Sequence, residues 1–566
     1  MIGPAVVLLA VGAAHAVSAA RTASVTVVAP VATCVEAKLG SLAARPGPDG
    51  AFEFEVEITE TRTYRLECGG KFEIDLAPAD RLTVTLDGTG KIRFSGRGSA
   101  ANDYRSAPAA LSIPVMSGLA PQPRAAFVAA WQALLDRDLV RLKQAERDGA
   151  PRDFLERETV RLRFRWAQGR VMFPFFHWRE TDEESIVPDP ALPGILKSLP
   201  IEDPRWWELR EHQELLDAHL HARARERLDS VPELRTGDNR WLRAKLDVLG
   251  SEVASPPLRL RETTRLIAKH VEDDGSKGID PILERWMSLS PDAESVKRVR
   301  DLVAADRARR DGHPVRVYRE VGGVPLELHL LEPAGPRREG PRPAMLWLHG
   351  GSATEGTWWW SPVITQALLD DGIFVAAVEL TTGNRFDADA DQFADASAAY
   401  VWLKAHAAEF AVDPTRIGVA GFSSGASVAL LLATTRGVSA GRGGGSGSGS
   451  ERPAALVTMS GCADPSEDAW FRKTMAREHR SPADFSPLAR VGPGQPPVLA
   501  VHATADEYCA YADMQRFMER YVAAGNDGEL ISVRDAGHFF GFYHPPGQRQ
   551  TREAIAAALK RWGWSR

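Results

Sequence analysis

The chain has 566 residues and 44% hydrophobic content, too long for a single core, so two to four domains are expected. Its formal charge is -6, with 69 Lys and Arg interleaved among 75 acids and no long basic block, which gives no support to nucleic-acid binding. The four cysteines, Cys34, Cys68, Cys462 and Cys509, form no C-x-x-C pair and no metal-ligand spacing, which argues against structural zinc.

Residues 1–20 hold a short apolar run followed by small-residue sites at Ala14-His-Ala16 and Val17-Ser-Ala19, the pattern of a secretory signal without its basic leading region. A signal peptide over 1–20 and an exported, periplasmic or extracellular protein are therefore expected, with a buried strand or helix as the alternative. No other stretch is long and apolar enough to cross a bilayer, so no stable membrane span is expected after signal removal.

Residues 21–110 carry short alternating segments, among them Phe52-Glu-Phe-Glu-Val-Glu-Ile, Lys71-Phe-Glu-Ile-Asp-Leu and Leu82-Thr-Val-Thr-Leu, separated by turns such as Pro48-Asp-Gly50. The period of two predicts a small antiparallel β-sandwich domain. In an oxidising compartment Cys34 and Cys68 are candidates for a disulfide there. The end of this stretch, Phe94-Ser-Gly-Arg-Gly98 and Ala101-Asn-Asp-Tyr104, resembles the small β domain ahead of the helical linker in exported thioredoxin-like proteins, but no redox motif follows and no activity is implied.

From 120 to 312 apolar residues recur at three and four, as in the run starting Arg124-Ala-Ala-Phe-Val and the one starting Ala293-Glu-Ser-Val-Lys, and predict a helical domain. Histidines 177, 212, 219, 221 and 270 lie in it without a metal-binding spacing and read as surface or satisfied core residues. The aromatics of Phe173-Pro-Phe-Phe-His-Trp178 and Trp206-Trp207 read as interdomain or core packing, with a substrate-side wall as the alternative.

Residues 313–566 change character again. After a leading hairpin, short apolar strands at Ala344–Leu348, Phe374–Leu380, Arg416–Ala420, Ala455–Ser460, Val498–His502 and Glu529–Val533 alternate with helix-length connections, predicting a largely parallel sheet covered on both faces. Reactive residue types follow these strands. The turn His349-Gly350-Gly351 can direct backbone N–H groups inward, Gly421-Phe-Ser423-Ser424-Gly425 is a strand-to-helix G-x-S-x-G, Asp506 follows the strand ending at His502, and His538 follows the last one. The order Ser423, Asp506, His538 is that of a nucleophile, acid and base on an α/β sheet. Glu507, Asp464 and Asp513 are alternative acids and His544 an alternative base; His349 is expected to brace the glycine loop. Trp358-Trp-Trp360 is either pocket lining or packing, and the Gly/Ser-rich run 441–450 is expected to be a flexible loop.

On these motifs, together with Val412-Asp413-Pro414-Thr-Arg416-Ile417 and Val501-His-Ala-Thr-Ala-Asp506-Glu507, residues 343–566 resemble the α/β-hydrolases, in the esterase/lipase branch with an HGG oxyanion loop, related to hormone-sensitive-lipase-like carboxylesterases and similar to prolyl-oligopeptidase-type hydrolases. The resemblance implies an eight-stranded, three-layer α/β/α domain and an oxyanion hole made by N–H groups of Gly350 or Gly351 with Ser424. It further implies a serine esterase acting on a small-molecule ester, with no metal or organic cofactor. Ala503 and Tyr508-Cys509-Ala510 depart from the usual pattern around the acid, and Cys462 and Cys509 are candidates for a bridge bracing that loop. A peptidase of the prolyl-oligopeptidase type is the alternative; no propeller-type repeat precedes the domain. A non-catalytic binding protein on the same fold is the third reading.

Overall fold

The computed structural model describes residues 21–30, 34–87, 91–107, 110–181, 188–235, 238–334, 340–352, 354–360, 362–383, 391–435, 452–467, 472 and 481–565. The expected signal peptide and the 441–450 run lie outside them. The chain divides into two compact units, Met1–His219 and Leu220–Arg566, and the helix Arg210–Ser230 runs from one into the other.

Among the described residues, the first unit opens with eight strands in two four-stranded sheets. One sheet has the order β4-β1-β7-β8, from Ala51–Ile58, Arg21–Val28, Arg81–Leu86 and Ile92–Arg97; the other has the order β3-β2-β5-β6, from Leu42–Ala44, Ala37–Leu39, Arg62–Glu67 and Lys71–Leu76. Alternation places Val25, Val27, Phe52 and Phe54 of one sheet in a common core with Leu39, Leu66, Ile74 and Leu76 of the other. One pairing differs from the antiparallel expectation: β1 runs parallel to β7, Ser24 opposite Arg81 through Val28 opposite Thr85. Cys34 and Cys68 are disulfide-bonded inside this core. The helices Arg124–Arg147 and Arg152–Glu180 follow; Phe127 stacks on Phe173 at 4.3 Å, so that aromatic run is packing.

The second unit begins with helices including Arg240–Glu252, Pro256–Asp273, Asp280–Met287 and Ala293–Asp311, two of them started by side-chain caps from Ser255 and Asp292. The helical stretch of the sequence thus contributes to both units. An eight-stranded sheet follows: β9 Val315–Val321, β10 Val324–Leu331, β11 Arg342–Leu348, β12 Phe374–Val378, β13 Val412–Phe422, β14 Leu456–Met459, β15 Val498–Ala503 and β16 Gly528–Val533. Their spatial order is β16-β15-β14-β13-β11-β12-β10-β9, antiparallel at β9–β10 and β10–β12 and parallel from β12 to β16. β11 is buried along its whole length. Its Ala344, Leu346 and Leu348 enter one apolar layer, and Met345 and Trp347 the other. Each layer is roofed by helices, Gln392–Ala405 and Ser424–Thr434 on the first and Pro362–Asp370 and Pro545–Arg561 on the second. Burial on both faces is why these strands read as continuous apolar runs. The parallel strands end on one edge, where crossover loops gather.

Candidate active site

β13 ends at Phe422 and the helix Ser424–Thr434 starts two residues later, so Ser423 alone makes the reversal. It sits at φ 53° and ψ -123°, a region that costs a non-glycine residue about 1–3 kcal/mol and persists only where the surroundings enforce it. The flanking glycines make the enforcement possible. A Cβ on Gly425 would fall 2.3 Å from the Leu348 carbonyl oxygen and 2.4 Å from that of His349, and one on Gly421 would meet the Gly425 carbonyl at 2.5 Å. The helix therefore enters directly against the end of β11.

Ser423 Oγ lies 2.9 Å from His538 Nε2, and His538 Nδ1 lies 2.8 and 2.9 Å from the two carboxylate oxygens of Asp506. A carboxylate accepts, so Nδ1 carries the proton and Nε2 is free to accept from the serine hydroxyl. Asp506 also accepts the backbone N–H groups of Tyr508 at 2.9 Å and Cys509 at 2.8 Å. Burial opposes its ionisation, but the bonds from His538, Cys509 and Tyr508 prevail and hold its carboxyl below the usual carboxylate value.

Gly350 packs against the elbow: a Cβ there would stand 3.0 Å from Ser423 Cβ. The loop is tied by His349, whose Nε2 accepts the Leu380 N–H and whose Nδ1 therefore donates to the Gly350 carbonyl at 2.7 Å. Gly351 adopts φ 114°, open to glycine alone. Ser424 is the first residue of the helix, where backbone N–H groups lack intrahelical acceptors.

The other acids and the other base are engaged elsewhere. Asp464 accepts from Ser466 and Ser486, Asp513 pairs with Arg516, and His544 Nδ1 accepts the Gly547 N–H, capping the last helix. Glu507 accepts the backbone N–H of His538 at 3.1 Å, and Ser460 Oγ donates to the His538 carbonyl at 2.9 Å. Neither contact has a sequence signal. His502, buried in β15, donates Nε2–H to the Cys509 carbonyl at 2.9 Å and stands 3.4 Å from Asp506. Burial pushes its ring below the usual imidazole value, so it stays neutral. Cys509 is disulfide-bonded to Cys462, whose N–H donates to Ser427 of the elbow helix. Phe422, Tyr508 and Phe539 surround the His538 ring at 5.0–5.3 Å, and Tyr508 is 68% exposed. Trp358, by contrast, is buried and stacks on His329 at 4.2 Å, away from any role the triad requires.

Glu327, His329 and Glu379 form the one group, among the described residues, with the donor set for a metal ion. Lys277 Nζ already sits between them, 3.2 Å from Glu327 and 3.3 Å from Glu379, and Arg310 contacts Glu327 at 2.6 Å. Two side-chain cations thus neutralise the two carboxylates. His313, its pKa pushed down to about 4 by burial and by His329, completes this polar cluster as a neutral ring.

A parallel sheet with a strained serine turn at the end of β13, and with an acid and a histidine after β15 and β16, is the arrangement of the α/β-hydrolase fold. Residues 330–446 match the model of BD-FAE, an α/β-hydrolase-like esterase family. Among solved structures, the chain is similar to the thermophilic esterase Est2 of the planctomycete Thermogutta terrifontis with propionate bound, at 26% identity and TM-score 0.41, over 45% of this chain and 96% of that one. The form of that esterase phosphonylated by sarin matches at 26% identity and TM-score 0.42, over 45% of this chain and 97% of the other. No curated protein matches the chain.

Proposed function

We propose that the second unit is a serine esterase that cleaves small-molecule carboxylic esters through an acyl-enzyme. The observation that carries this reading is the relay Ser423 Oγ, His538 Nε2, His538 Nδ1, Asp506, with 2.9 and 2.8 Å steps on a rigid sheet edge. His538 takes the Ser423 proton as Oγ attacks the ester carbonyl, and Asp506 stabilises the imidazolium that results. Negative charge on the carbonyl oxygen falls to backbone N–H groups of Gly350 or Gly351 and of Ser424, which act on charge present only in the transition state. His538 returns the proton to the leaving alcohol, then removes one from water, whose attack releases the acid and regenerates Ser423. The BD-FAE match over the segment holding the glycine loop and the elbow supports an ester substrate. The two disulfides support residence in an oxidising compartment, in keeping with export.

The test is turnover of p-nitrophenyl acyl esters of graded length and of aminoacyl-p-nitroanilides by purified protein, with Ser423→Ala as control. Ester turnover that vanishes in the variant is expected. Amide turnover alone would assign the site to a peptidase, and no turnover of either would favour a binding protein.

A further inference from the structure

Glu507 is exposed, so it is not part of the packed interior, yet its carboxylate ends on the most consequential peptide of the site. Its Oε2 accepts the His538 N–H at 3.1 Å, while the preceding carboxylate, Asp506, holds the ring of the same residue at Nδ1. Ser460 Oγ takes the carbonyl side of His538. Both backbone polar groups of the base therefore end on side chains, and neither belongs to a strand ladder. Gly537 fits the same contact. It has no positive φ that would demand glycine, but a Cβ on it would fall 2.8 Å from Glu507 Oε2. The missing side chain leaves room for the carboxylate.

We propose that Glu507 is a positioning residue for His538, acting through the histidine backbone, with Gly537 as the space that admits it. This rests on the esterase reading and extends it. With the His538 peptide held on both sides, Nε2 stays 2.9 Å from Ser423 Oγ; without Glu507 the N–H side loses its anchor while Ser460 still holds the carbonyl side. Misplacement of a catalytic group by about 1 Å costs up to roughly 100-fold in rate. Glu507 makes no contact with substrate in this account, so ground-state binding is untouched.

The experiment compares the full chain with Glu507→Ala, Glu507→Gln, Gly537→Ala and the double variant Glu507→Ala/Gly537→Ala. It measures kcat and KM on a p-nitrophenyl ester, and the rate at which a fluorophosphonate labels Ser423. Glu507→Ala is expected to lower kcat on the order of 10-fold at unchanged KM. Glu507→Gln, whose amide oxygen still accepts the N–H, restores most of the loss. Gly537→Ala reproduces the Glu507→Ala defect by displacing the carboxylate, and the double variant is no slower than either single one, as expected for residues acting through one contact. Wild-type kcat in Glu507→Ala, a Glu507→Gln variant as slow as alanine, or additive losses in the double variant would each overturn the proposal while leaving the esterase reading intact. A wild-type protein that neither hydrolyses the ester nor labels at Ser423 would remove both.

Discussion

Cys509 donates its backbone N–H to Asp506 across 2.8 Å, and its own side chain is bonded to Cys462, so the residue that holds the acid is covalently anchored to the loop after the neighbouring strand. His502 fixes the same residue through its carbonyl. Opening the bond leaves the acid loop on hydrogen bonds alone. Reduction, or Cys462→Ser/Cys509→Ser, is expected to lower kcat more than it changes KM. With a sequence separation of 47 between the half-cystines, the loss of stability is up to ~4 kcal/mol by chain entropy. Kinetics and the melting of the second unit with and without reductant check this; kcat of the double serine variant should be indifferent to reductant, which in that variant can open only Cys34–Cys68 of the first unit.

Asp506→Asn is expected to keep the fold and lower kcat by roughly 10³–10⁴. The Tyr508 and Cys509 N–H groups select the amide oxygen, which turns the amide NH₂ towards His538 Nδ1. That ring nitrogen must then accept, the proton moves to Nε2, and the histidine faces Ser423 as a donor instead of a base. Single-turnover kinetics alongside an unchanged circular dichroism spectrum would test it.

Gly425→Ala is expected to destabilise the second unit by about 3 kcal/mol, because its Cβ would collide with the backbone carbonyls of Leu348, at the end of the central strand, and of His349, in the turn after it. Gly492→Ala, with nothing within 4 Å of the added carbon, is the neutral control. Soluble yield and melting temperature distinguish the two.

Glu158 in the first unit is 5% exposed, with Arg161 at 2.7 Å and Arg105 at 3.3 Å. Burial, only partly offset by Arg105, pushes its carboxyl up to about 7. An acid whose folded value exceeds its unfolded one favours the native state below the unfolded value and loses that advantage as pH rises through the folded value. Between about pH 4.5 and 7 the unit should therefore lose at most about 3 kcal/mol, and Glu158→Gln should flatten the profile. Amide exchange in the helix Arg152–Glu180 at pH 5.5 and 8 reports it.

What the sequence carried well is what local composition encodes. Apolar, unalternating runs such as Ala344–Leu348 announce strands covered on both faces, and the glycines around Ser423 announce a tight reversal. Ser423, Asp506 and His538 each follow their own strand in the sequence, and the fold brings them within hydrogen-bond distance of one another. Contacts set by the pairing of distant segments were not legible. Glu507 looked like a rival to Asp506, yet its carboxylate ends on the backbone 31 residues on. Ser460 reaches His538 over 78 residues, and the parallel pairing of β1 with β7 joins segments that each read simply as alternating strands. Trp358 lay beside the glycine loop in sequence but found its partner in His329 of β10.

The strand order gives the molecule a built-in clock for its own assembly. From β13 outward the sheet grows as β14, β15 and β16 in chain order, and the Ser423–His538 contact closes 115 residues of chain only when the outermost of these has docked. Contacts of such separation form late, after shorter loops have closed. Reactivity at Ser423 thus requires that β16 has docked, and its recovery on refolding is expected to lag behind the recovery of helix signal.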